Sequence, residues 1–178
     1  MRNIFLNFII VVLCFFSLQV FACGDNPNAI VQGPFADHSL NGGMICFQNT
    51  DDKRNVEFYV SYQENNNEHN KLIDTFYYSD APVELMSVFF AQVNDERNVV
   101  VLLRWHVNYL TKGISYPYYY EVRTYKKQSD SIYAVNLTSD KDPNLAGYES
   151  VNNGKVTDYP LSNASEIRKY LKAKHKGN

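Results

Sequence analysis

Residues 98–110 alternate without a break: Val99, Val101, Leu103, Trp105, Val107 and Tyr109 fall on one side, and Val100, Leu102, Arg104, His106 and Asn108 on the other. A period of two is the pattern of a β-strand, and a run of this length has to lie in the middle of a sheet. The second side changes from aliphatic to polar partway along. The strand therefore starts in a region covered on both faces and runs out to a surface.

The rest of the chain repeats the theme in shorter form. Aromatic and β-branched runs at residues 44–48, 56–63, 72–78, 84–93, 114–127 and 132–137 are separated by polar turns, the signature of antiparallel sheet. A further short strand is expected near residues 155–159. Residues 94–97 suit a hairpin between two of the longest runs, and Pro117, inside another, predicts a bulge or an edge position because proline has no N–H for the ladder. Residues 23–43, with Gly33-Pro34 and Gly42-Gly43, read as a loop-like lead-in, and residues 64–70, with three consecutive Asn, read as a mobile loop. Only the end is helical: Asn163 is an N-cap candidate with Glu166 three residues on, and Ile167, Tyr170 and Leu171 form an apolar stripe. A helix over about residues 163–175 is predicted, with Gly177 where a C-cap would lie. The fold class is thus α+β, mainly β: an antiparallel sheet or small β-sandwich with a C-terminal α-helix. Fourteen Tyr and eleven Phe in the full chain are unusually many, and with such aromatic bulk available one well-filled core is expected in a single domain, residues 23–178.

The first 22 residues differ from all of this. Arg2 precedes an uncharged apolar run from Ile4 to Val20, and Val20-Phe21-Ala22 suits a signal peptidase, so residues 1–22 read as a cleavable export signal. The destination is periplasmic or secreted. Export leaves Cys23 and Cys46, for which an oxidising compartment favours a disulfide. The competing reading is lipidation of Cys23, which Val20-Phe21-Ala22-Cys23 resembles in part, and only then is a membrane a partner. The whole chain carries a formal net charge of −2, and its only basic run is C-terminal, which argues against nucleic acid as a partner.

Chemistry is sparse. His38, His69, His106 and His175 show no zinc spacing, no Ser lies in a Gly-x-Ser-x-Gly elbow, and the segment from Asp140 to Asn144 lacks the glycine and distal Glu of a calcium loop. His69 and His175 are expected to be solvated. No catalytic residue, metal or cofactor is assigned, although His106 beside Trp105 would anchor any dispersed active site. The sequons at Asn136 and Asn163 are explicable as chance in an Asn-rich chain. What stands out is the tyrosine cluster Tyr116, Tyr118, Tyr119 and Tyr120, with Arg104, His106 and Arg123 in the same predicted hairpin. Tyr and Arg dominate protein-binding hot spots, so these seven residues are the candidate partner-binding set; the alternative is that alternate tyrosines simply fill the core.

The ending, Leu145-Ala146-Gly147, Gly154, Tyr159-Pro160 and Ala164 to Leu171, is similar to those of small exported bacterial proteins. Together with the export signal, the β-rich domain and the lysine-rich helix, it resembles the periplasmic immunity proteins that bacteria pair with type VI secretion effectors. That resemblance implies a non-enzymatic protein that binds a secreted effector enzyme and blocks it. The alternative function is a small lipoprotein or surface protein with a structural or ligand-binding role.

Overall fold

The computed structural model describes residues 23, 24, 26–40, 42–128 and 132–175; the expected export segment and Gly177 lie outside the described residues. Four strands, β1 (Ile30–Asp37), β2 (Gly43–Asn49), β3 (Val56–Glu64) and β4 (Asn67–Phe76), form one antiparallel sheet in chain order. Strands β5 (Glu84–Val93), β6 (Glu96–Thr111) and β7 (Ile114–Lys127) form the spine of a second. Short strands complete it around β7: β8 (Tyr133–Val135), β9 (Ala146–Tyr148), β10 (Ser150–Asn152) and β11 (Lys155–Thr157), with order β11-β10-β7-β6-β5 and with β8 and β9 also paired to β7. Helix α1 (Leu137–Asp140) is one turn, and α2 (Ala164–Lys174) closes the described chain.

The two sides of β6 do different work, as their alternation requires. Val99, Val101, Leu103 and Trp105 meet Ile45, Phe47, Phe58, Val60 and Phe76 of the first sheet, with Phe47 and Phe58 stacked at 4.7 Å. Val100 and Leu102 join Tyr120 and Val122 under Leu145, Tyr159, Leu161 and the helical Ile167 and Leu171. The molecule is a β-sandwich with a helix laid on its second sheet, so that sheet is covered on both faces. Each such side chain contributes about 1.5–3 kcal/mol on burial, which makes this double covering the main source of stability.

Polar clamps tie the layers together. Asp37, buried at the end of β1, accepts hydrogen bonds from the Tyr133 hydroxyl, from Arg97 at 2.7 Å and from the Ser39 amide at 3.1 Å. Burial alone would raise its pKa, but these partners outweigh it and hold the carboxyl below its usual range. Asp74 of β4 likewise accepts from Tyr125 at 2.6 Å and from Arg123 at 3.1 Å, bridging the two sheets. The Cys23–Cys46 disulfide fixes the start of the domain to the outer side of β2, against Tyr59.

Three sequence expectations are corrected. Residues 30–37 form a strand: it lies at a sheet edge, where Gly33-Pro34, a cis peptide, and two register shifts are tolerated. The Asn-rich segment is a two-residue hairpin followed directly by β4. Asn65 and Asn66 take φ of 52° and 64°, the left-handed region that Asn tolerates, and this selects a tight turn. The strand that follows is exposed from Asn67 to Leu72, so no apolar period marked its first half, while the run expected at residues 72–78 coincides with its second half. His175, expected in solvent, donates from Nε2 to the Asp142 carboxylate at 2.9 Å, which also accepts from Tyr170 at 2.7 Å. Asn163 caps α2 as expected, accepting from the Ser165 and Glu166 amides, and the helix ends at Lys174 with His175 as its cap. Asn136 is buried, caps α1 and donates to Asn98 at 2.9 Å, so its sequon is engaged in the fold.

Candidate functional site

The β6–β7 hairpin extends past β5, while on its other side β10 pairs with Ile114 and Ser115 of β7. β5 follows β6 only as far as Glu84 opposite Arg104, while β6 and β7 continue together to the turn at Lys112-Gly113. The bulge that Pro117 predicted is present, but on the partner strand. Pairing passes from His106 opposite Tyr118 to Tyr109 opposite Tyr116, so β6 carries one extra residue, and Asn108 takes a φ of 49° to accommodate it. A strand facing a proline loses one ladder bond in any case, which makes this the least costly place to bulge.

Beyond the bulge the rings form a continuous run. Tyr109 meets Tyr116 at 5.9 Å, Tyr116 meets Tyr148 of β9 at 5.5 Å, Tyr148 meets Tyr119 at 4.9 Å, and Tyr119 meets Trp105 at 5.9 Å. The inner end is anchored: Trp105 is buried in the sandwich core and its indole N–H donates to the Tyr77 carbonyl at 3.0 Å. The outer end is open, with Tyr109, Tyr148 and Leu110 respectively 55%, 50% and 68% exposed. Burial raises the Tyr119 phenol pKa, and the neighbouring Glu121 carboxylate adds to this, so its hydroxyl stays a neutral donor through the physiological range.

A second run starts from the same strands. His106 stacks on Tyr118 at 5.1 Å, Tyr118 meets Tyr120 at 6.4 Å, and Tyr120 stacks on Tyr159 at 5.4 Å beneath α2. The Arg104 guanidinium lies 4.5 Å from the Tyr118 ring centre and donates to Glu84 at 2.7 Å. Burial works against the Arg104 cation, but Glu84 and Tyr120 more than offset it and its pKa is raised.

The seven candidate residues are therefore not one cluster. Tyr116 and Tyr119 belong to the run with the open outer end. Tyr118, His106 and Arg104 form a partly covered stack, Tyr120 is buried in the core, and Arg123 is held between Glu121 at 2.6 Å and Asp74 at 3.1 Å. Sequence reasoning missed Tyr148, Leu110 and the role of Tyr109. Large apolar residues immediately before a turn were the available signal for Tyr109 and Leu110; Tyr148 arrives from a separate strand, and no local pattern announces it.

In one surface cavity the charged groups serve the fold. The 290 Å³ cavity lined by Ser39, Glu96, Arg97, Lys126, Lys127 and Tyr133 has each cation engaged: Arg97 by Asp37, Lys126 by Glu96 and Lys127 by the Ser39 carbonyl. Among the described residues no group of three or more His, Cys, Asp or Glu is placed to hold a metal ion, and no described helix is long and apolar enough to cross a membrane. No protein-family model, curated protein or solved structure matches this chain.

Proposed function

We propose that this chain is an exported, non-catalytic binding domain whose β6–β7 hairpin presents the Tyr109–Tyr116–Tyr148 surface to a protein partner. The observation that carries the reading is the ring run itself, anchored in the core through Trp105 and half exposed at its outer end. Tyr is amphipathic and has only two side-chain rotors, so it supplies contact area at small entropic cost, and such anchors carry most of the energy of protein interfaces. The partner that best fits the export signal and the resemblance to immunity proteins is a secreted effector enzyme, blocked in the periplasm. The Cys23–Cys46 bond supports the soluble form over the lipid-anchored one, because a sulfur engaged in a disulfide is not free to carry a lipid thioether.

The test is direct. The genes beside this one are sequenced, any secreted hydrolase found there is produced in the periplasm with and without this protein, and cell survival and complex formation are measured. Survival with a stoichiometric complex is expected. No complex and no protection would remove the reading, and intact mass of the mature protein decides between an underivatised and a lipidated Cys23.

A further inference from the structure

The hairpin that carries the exposed rings also leaves a length of sheet edge open. From Trp105 to Thr111, β6 has β7 on one side and, among the described residues, no strand on the other. Unpaired strand edges are templates for another chain, and folds blunt them. Among the described residues the other long edges are blunted, and the outer strands β8 and β9 are three residues each. Along β5, the Leu85 carbonyl accepts from the Gln32 side chain at 3.3 Å and the Phe90 carbonyl from Arg168. β1 is broken by two register shifts, β4 is exposed and polar along residues 67–71 with Glu68 and Lys71, and β11 is three residues long. Residues 105–111 carry no Asp, Glu, Lys or Arg, and Tyr109 and Leu110 stand exposed beside the open ladder.

We infer that an extended segment of the partner adds to this edge as a further strand, with an acidic residue at the end that reaches Lys112. This rests on the binding reading above and states how the same surface is used. Main-chain donors and acceptors in a row are matched by an extended backbone, and alternate side chains of that segment then lie against the ring run. The charge argument comes from the chain itself: there is no carboxylate between Glu96 and Glu121, Arg104 is paired with Glu84, and Lys112 is exposed with no ion pair among the described residues. The bulge at Val107-Asn108 bends the edge, which a flexible segment follows more readily than a second, equally bulged copy of this hairpin.

A phage-displayed library of alternating apolar and polar decapeptides with acidic or basic flanks is panned on the full-length protein, and bound peptides are mapped by amide hydrogen exchange. Acid-flanked sequences are expected to be enriched and to slow exchange within residues 105–111. Lys112→Glu is expected to reverse the flank preference, by the roughly two- to fivefold of an exposed ion pair. No enrichment, protection elsewhere, or an unchanged preference in Lys112→Glu would overturn strand addition. Protection of residues 105–111 in the protein alone, growing with concentration, would give the edge to a second copy and overturn it equally. If these fail while substitutions at Tyr109 and Tyr148 still abolish binding of the effector, the binding reading stands without strand addition.

Discussion

Replacing both members of the Cys23–Cys46 pair by alanine removes a cross-link that closes a loop with a sequence separation of 23. In the chain-entropy description a loop of this length restricts the unfolded ensemble by about 3 kcal/mol at 25 °C. Both sulfurs are buried against Tyr59, so some packing is lost as well, in the same direction. For a domain of this size, whose whole stability is of order 5–15 kcal/mol, the loss corresponds to a fall in Tm of about 6–12 °C. The informative comparison is among Cys23→Ala, Cys46→Ala and the double variant, each followed by urea unfolding. Because either substitution breaks the same bond, all three are expected to lose nearly the same free energy rather than to add. Wild type in excess reductant is expected to join them. Two single variants whose losses sum to that of the double, or a double variant within about 0.5 kcal/mol of wild type, the range of ordinary surface changes, would refute the reasoning.

Tyr125→Phe removes the 2.6 Å hydrogen bond to Asp74 while leaving the buried ring, and is expected to cost about 1–2 kcal/mol in denaturant titration, since Arg123 still serves the carboxylate. Asn66→Val places a β-branched residue in a left-handed turn position and is expected to cost about 1–2 kcal/mol, whereas Asn66→Gly is neutral or stabilising in thermal melts. Burial would raise the Asp142 pKa, but its hydrogen bonds from Asn144, Tyr170 and His175 outweigh this and hold it down to about 2. A depressed carboxylate adds stability that is full above its unfolded pKa of 3.8 and is lost as pH falls towards 2. Asp142→Asn is therefore expected to flatten the acid limb of the stability profile between pH 4 and 2, and an unchanged limb would remove Asp142 from that role.

The parts of this fold that could be read from sequence are those where one residue pattern had one solution. The alternation gave both faces of β6 as far as His106, and even the point where its second face leaves the core, because Val100 and Leu102 are followed by Arg104 and His106; past that point the extra residue at Val107-Asn108 interrupts it. Asn163 and Glu166 marked the helix start for the same reason. β1 and the first half of β4 escaped because edge strands need no apolar period: one accommodates Gly33-Pro34, and the other is polar over residues 67–71, so only the run from Leu72 marked it. The Pro117 bulge was legible, but proline's effect is felt across the ladder, so the distortion sits at Asn108 on the other strand. The candidate surface was half legible. The tyrosine run located the hairpin, yet alternation sends Tyr120 into the core, ion pairs absorb Arg123, and Tyr148 is brought in by a distant strand.

The exposed end of the ring run is the proposed binding surface. The direct measurement is the affinity of the secreted effector for Tyr109→Ser, Tyr148→Ser and the double variant, with unfolding recorded on the same samples. Each substitution removes ring contacts worth about 0.5–1.5 kcal/mol apiece, so stability is expected to fall by about 1–2 kcal/mol per site while the protein stays folded. Hot-spot residues contribute about 2 kcal/mol or more, so affinity is expected to fall roughly thirtyfold or further. Variants that remain folded and bind the effector as tightly as wild type would contradict the claim.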